Sequence, residues 1–189
     1  MTNTDTLLSE SEVEALARRI DRPVVLVGMM GVGKSTIGRK LAAMLHLPFV
    51  DADDEIEEAA RMSISEIFEK LGEAEFRDGE RRVIGRLVRQ GPAVIATGGG
   101  AFSNDETRAL VLDQAIAVWL DCDTATLVER VGRKDTRPLL RNGDPAEILA
   151  RLKAEREPFY SQAPIHVQSE AGPHNMAVQR ILKGIGQWL

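Results

Sequence analysis

The chain has one cysteine, Cys122, among its 189 residues. That excludes an intramolecular disulfide and any multi-cysteine metal site, and it points to a reducing compartment such as the cytoplasm. Long apolar runs are missing too: no stretch approaches the roughly 18 uninterrupted apolar residues of a membrane helix. The first 23 residues carry four acids ahead of the first arginine and have no apolar centre, so neither a signal nor a transit peptide is expected. An excess of positive charge is also absent. With 24 Lys+Arg against 29 Asp+Glu the net charge is −5, and no nucleic-acid or membrane partner is expected. There is no internal repeat and no low-complexity tract. What remains is 43% hydrophobic and 28% charged, the composition of one soluble domain with a packed core. The basic residues are 18 Arg and 6 Lys. Arginine's planar fork grips carboxylates and phosphates with two parallel bonds.

Residues 9–20 place Val13, Leu16, Ala17 and Ile20 on one helical stripe, with Ser9 and Glu12 at capping-box spacing. Val24–Val27 is a continuous apolar run ending at Gly28, the pattern of a strand buried on both faces of a parallel sheet. A helix carrying Ile37, Leu41, Met44 and Leu45 follows and stops before Pro48. Further strands are expected at Leu47–Val50, Ala93–Ala96, Ile116–Leu120 and Pro164–Gln168. Helices fill 54–90, with breaks near Arg61 and Gly72, and then 123–131, 145–160 and 174–188. The stretch 132–144 is charged, holds two glycines and a proline, and shows no periodicity, so it is expected to be a long mobile loop. Strands alternating with helices mean a parallel α/β sheet with helices on both faces.

Between the first strand and the next helix, Gly28-Met29-Met30-Gly31-Val32-Gly33-Lys34-Ser35, followed by Thr36, fits G-x-x-x-x-G-K-[ST] in the strand-to-helix context that gives the pattern meaning. Glycines let successive N–H groups face inward, and the helix start adds the positive end of its dipole. Lys34 supplies a point charge to the β and γ phosphates, and Ser35 offers a hydroxyl to Mg²⁺. A phosphate cradle alone suits a switch GTPase, a motor ATPase or a small-molecule kinase. The guanine-selecting Asn-Lys-x-Asp is absent, the nearest candidate being Arg133-Lys134-Asp135. Strand three ends in Thr97 and glycines rather than in the acidic pair of many motors. An acceptor site is therefore favoured.

Asp51, Asp53 and Asp54 follow the second strand, where ligands of open α/β sheets bind. Asp54 reads best as the cap of the next helix, and Asp51 and Asp53 as site residues. Gly98-Gly99-Gly100 at the end of strand three offers bare backbone to a ligand. Arg77 and Arg156, taken singly, read as solvated surface charges. Taken together, the phosphate loop, Asp51-Ala52-Asp53, Glu75-Phe76-Arg77, Gly98-Gly99-Gly100, Arg137-Pro138-Leu139-Leu140 and Arg156-Glu157-Pro158-Phe159-Tyr160 resemble the shikimate kinases from residue 23 to about 185. Phe159 stands where that family often has Leu, and the loop Glu170-Ala171-Gly172-Pro173 lacks an arginine that some relatives carry.

The resemblance implies a P-loop kinase fold, a five-stranded parallel sheet in the order 2-3-1-4-5. Residues 1–22 would form an N-terminal helical extension and 23–189 a single domain, with 54–90 as the substrate-binding helices and 132–144 as a mobile lid. It implies a monomer that uses ATP and Mg²⁺ to phosphorylate the 3-hydroxyl of shikimate. In that reading Asp53 binds ring hydroxyls and is the candidate base, while Arg77, Arg156 and the Gly98–Gly100 backbone hold the carboxylate. Arg137 reaches the phosphates, Arg130 lies against the adenine, and Asp51 joins Ser35 at the metal. The competing readings are another small-molecule kinase of this fold, for gluconate or a nucleoside monophosphate, and a non-catalytic nucleotide-gated module.

Overall fold

The computed structural model describes residues 7–132, 143–169 and 174–189. Its sheet starts from the apolar run: β1 (Val24–Val27) is fully buried because both of its faces are apolar, and it pairs on either side. β2 (Phe49–Asp51), β3 (Val94–Ala96), β4 (Ile116–Asp121) and β5 (Ile165–Gln168) complete a parallel sheet in the order β2-β3-β1-β4-β5. This is the order that the resemblance implies.

Around the sheet run α1 (Glu10–Ala17), α2 (Lys34–Leu45), α3 (Ala52–Ala60), α4 (Ile64–Lys70), α5 (Glu73–Val88), α6 (Asp105–Gln114), α7 (Thr124–Val131), α8 (Pro145–Tyr160) and α9 (Asn175–Trp188). The Ser9–Glu12 capping box forms as the spacing predicts, and a second one, Ser63 with Glu66, starts α4. α1 packs against α2 and α9, burying Val13 and Leu16, with Ile20 just beyond its end, in the same core as the sheet. No helix among the described residues is long and apolar enough to cross a membrane.

Two expectations near the site are corrected. β2 is displaced to Phe49–Asp51, and α3 begins at Ala52, with Asp51 rather than Asp54 as its cap: the Asp51 carboxylate accepts from the Asp53 N–H at 3.1 Å. An N-cap needs extended backbone, and Asp51 is the last extended residue, whereas Asp54 already lies in the helix. Residues 101–115, for which periodicity predicts no element, hold a 3₁₀ turn (Ala101–Ser103) and α6 capped by Asn104. Within α6 only Thr107 and Val111 are fully buried, too thin an apolar stripe to read as a period. Arg137, with the rest of 133–142, and the loop 170–173 lie outside the described residues.

Candidate active site

The phosphate loop leaves β1 at Gly28, whose φ is +136°. A side chain there would collide with the Leu120 carbonyl, so the turn demands glycine twice over. Gly33 caps α2 in the left-handed conformation and has no side chain to satisfy the first-turn N–H groups. Those donors, with the dipole behind them, are left for an anion. Lys34 is buried and its ammonium donates to the carbonyls of Gly28 (2.7 Å) and Met29 (2.8 Å), binding the loop to its own cation. The Ser35 hydroxyl donates to Asp51 at 2.6 Å. That pairs a hydroxyl with a carboxylate at the start of α2. Two hard oxygens beside a phosphate cradle are the donor set that Mg²⁺ takes.

A cleft of about 930 Å³ runs from this loop across the ends of β2 and β3. Its lining includes the phosphate loop from Met30 to Thr36 apart from Val32, together with Asp51, Asp53, Arg77, the glycine triplet, Arg130 and Arg156. The arginines that would singly read as surface charges are inside it. Arg156 is 8% exposed, and its Nη1 has no hydrogen-bond partner among the described residues. Arg77 is held by Glu80 (2.8 Å) and Glu73 (3.4 Å), with its guanidinium against the Phe76 ring.

The triplet is glycine for room. None of its three residues has a left-handed φ. A Cβ on Gly98 would lie 2.7 Å from Glu80 Oε1 and 3.2 Å from Asp53 Oδ1, one on Gly99 3.1 Å from Arg156 Nη1, and one on Gly100 2.5 Å from Arg77 Nη1. Each glycine therefore brings backbone against a different charged group. Two carboxylates and two guanidiniums converge on one strand end.

Glu80 is the residue that sequence reading passed over. It is 2% exposed, and burial raises its carboxyl above the usual glutamate range against the opposing pull of Arg77. The signal was there: Phe76, Glu80, Val83, Ile84 and Leu87 form one buried stripe of α5, with an acid at a core position. His174 is a second addition. Its ring edge faces Gly33, it lines the cleft with Arg130, and burial together with Arg130 and Lys40 lowers its pKa. Arg130 itself donates to the Val32 carbonyl at 3.1 Å and so lies against the phosphate loop.

A family model described as shikimate kinase matches residues 30–186. A shikimate kinase of Novosphingobium aromaticivorans is 63% identical over 193 residues, covering 100% of both chains. The structure of a shikimate kinase from Acinetobacter baumannii in complex with shikimate superposes with a TM-score of 0.82 at 33% identity, covering 95% of this chain and 96% of that one. A gluconokinase from Sinorhizobium meliloti shares the fold at a TM-score of 0.63 and 18% identity, covering 90% of this chain and 95% of its own.

Proposed function

Because this chain belongs to the shikimate kinase family and catalyses ATP-dependent phosphorylation of shikimate, we propose that its cleft holds the acceptor carboxylate between Arg77, Arg156 and the glycine backbone, and presents the 3-hydroxyl to the γ-phosphate. The observation that carries this reading is the buried Arg156 Nη1, a cation donor with no partner among the described residues beside backbone cleared of side chains. A buried charge of that kind calls for an anion. The products are shikimate 3-phosphate and ADP.

Phosphoryl transfer asks mainly for positioning and charge neutralisation. Asp53, on the first turn of α3 with its carboxylate at the triplet, accepts the acceptor's hydroxyl proton as general base. Lys34 and the first-turn N–H groups of α2 hold the phosphates, and Arg137 is assigned the same task by its motif. Ser35 and Asp51 would hold Mg²⁺, which would supply charge neutralisation at the phosphates. Arg130, with His174 nearby, bounds the nucleotide's base end. The single buried Cys122 supports a cytoplasmic enzyme.

The gluconate alternative retains only a likeness of fold, and a non-catalytic module has no use for Asp53 beside two arginines. The test is ADP release with ATP, Mg²⁺ and a panel of shikimate, gluconate and AMP. Turnover is expected with shikimate, with the other two far poorer. Equal rates with all three would defeat the assignment.

A further inference from the structure

The three glycines give the site its room at a cost in rigidity: the peptide joining Gly99 and Gly100 has no side chain on either flank to resist its rotation. A trans peptide carries its C=O and N–H on opposite edges. Turning it over would therefore replace a donor by a carbonyl dipole in front of an anionic acceptor. One side chain opposes that rotation. The Tyr160 hydroxyl, fully buried at the end of α8, donates to the Gly99 carbonyl. The same oxygen lies 3.8 Å from the sulfur of Met29 in the phosphate loop.

We infer that Tyr160 is a positioning residue for the acceptor, pinning the Gly99–Gly100 peptide so that its N–H edge faces the cleft. Tyr160 stands one helical turn after Arg156 on α8, so a single helix delivers both the guanidinium beside Gly99 and the clamp on its carbonyl. Trp119 packs near the phenol ring, at 6.0 Å between centroids, and limits its movement. Burial pushes the phenol up to about 12, so it remains a donor throughout the working pH range. Tyr160 is not among the residues lining the cleft, so its effect passes through the groups it faces, the Gly99 carbonyl and the Arg156 side chain. This inference rests on the acceptor reading of the cleft given above.

Tyr160→Phe removes one oxygen and keeps the ring. The expected result is a rise in KM for shikimate of about three- to tenfold with KM for ATP within twofold, the loss of one neutral hydrogen bond felt on one side only. Titration of ¹⁵N-labelled protein with shikimate should move the Gly100 amide proton downfield in the wild type and much less in the variant. Unchanged KM values, or an equal rise for both substrates, would overturn the role. The chain has a single tyrosine, so 3-fluorotyrosine labels this position alone. Should the variant fail to fold, a ¹⁹F resonance that does not move as shikimate saturates the labelled wild type would overturn the role as well. A wild type that releases no ADP with shikimate defeats the acceptor reading itself, whereas a normal wild type matched by its variant defeats only the part given to Tyr160.

Discussion

Asp53 carries the proposed base role, and Asp53→Asn separates its charge from its shape. The variant should lose about 10²–10⁴-fold in kcat with ATP affinity nearly unchanged, as steady-state kinetics will measure, and near-normal turnover would refute the base. Arg156 tests the anion site. Arg156→Ala should raise the shikimate KM about 10–100-fold through the loss of a charge-assisted contact. An acceptor with its carboxylate replaced by a neutral amide should bind poorly to the wild type and lose much less on mutation, giving a non-additive cycle. Equal losses for both acceptors would mean a structural role. Glu80 adds a pH dependence whose sign follows from its environment. Burial raises its pKa in the folded state, so the folded protein holds that proton at pH values where the unfolded chain has released it. Its contribution to stability is complete below the ordinary glutamate value and declines as pH rises through the raised one. Glu80→Gln removes the decline, so the stability of the variant relative to wild type, from urea unfolding across pH, should increase over that interval. A constant difference would contradict the raised pKa.

Among the elements, α2 and α5 give opposite answers to the same substitution. A Cβ on Gly38 of α2 would lie 2.6 Å from the Phe49 ring and 3.2 Å from Leu26, so Gly38→Ala should destabilise by about 1–3 kcal/mol. A Cβ on Gly79 of α5 meets nothing within 4 Å, so Gly79→Ala should stabilise by about 0.5–1 kcal/mol, the helix propensity gained. Chemical denaturation reads both, and a shared sign would show that the packing around one of them is misjudged. Elements with strong patterns were legible before any coordinates: β1 matches its apolar run residue for residue, and α1, α8 and α9 lie within two residues of expectation or inside the expected span. The phosphate loop, Asp53 and the triplet were placed at strand ends by local patterns, and the structure brings them to one cleft. For Glu80 the α5 stripe marks only a core-facing position; that its carboxylate meets the triplet depends on α5 packing beside Gly98, which no single window of sequence contains. The cap moved from Asp54 to Asp51 for a similar reason: pairing of β2 with β3 carries the strand through Asp51 against Ala96.

For the whole molecule, the terminal helices close on each other. Leu16 of α1 is 5% exposed and reaches Gly186 of α9, and the Leu8 N–H donates to Gln179 of α9 at 3.0 Å. Leu16→Ala should cost about 2–5 kcal/mol and lower Tm by roughly 5–15 °C, while kcat measured well below the transition stays that of the wild type. Calorimetry with parallel kinetics checks both halves, and a fall in kcat in the folded variant would tie α1 to the chemistry. The strand order places β1 at the centre of the sheet, with the acid-bearing β2 and the triplet at the end of β3 to one side, and β4 and β5 to the other. That arrangement has an evolutionary consequence. Residues proposed to choose the acceptor sit on α3, α5, α8 and the end of β3, while those proposed to grip phosphate sit on the turn from β1 into α2. Selection can therefore rewrite the first set for a new acceptor and inherit the second unaltered, a division of labour that makes this scaffold readily adaptable to new small-molecule substrates.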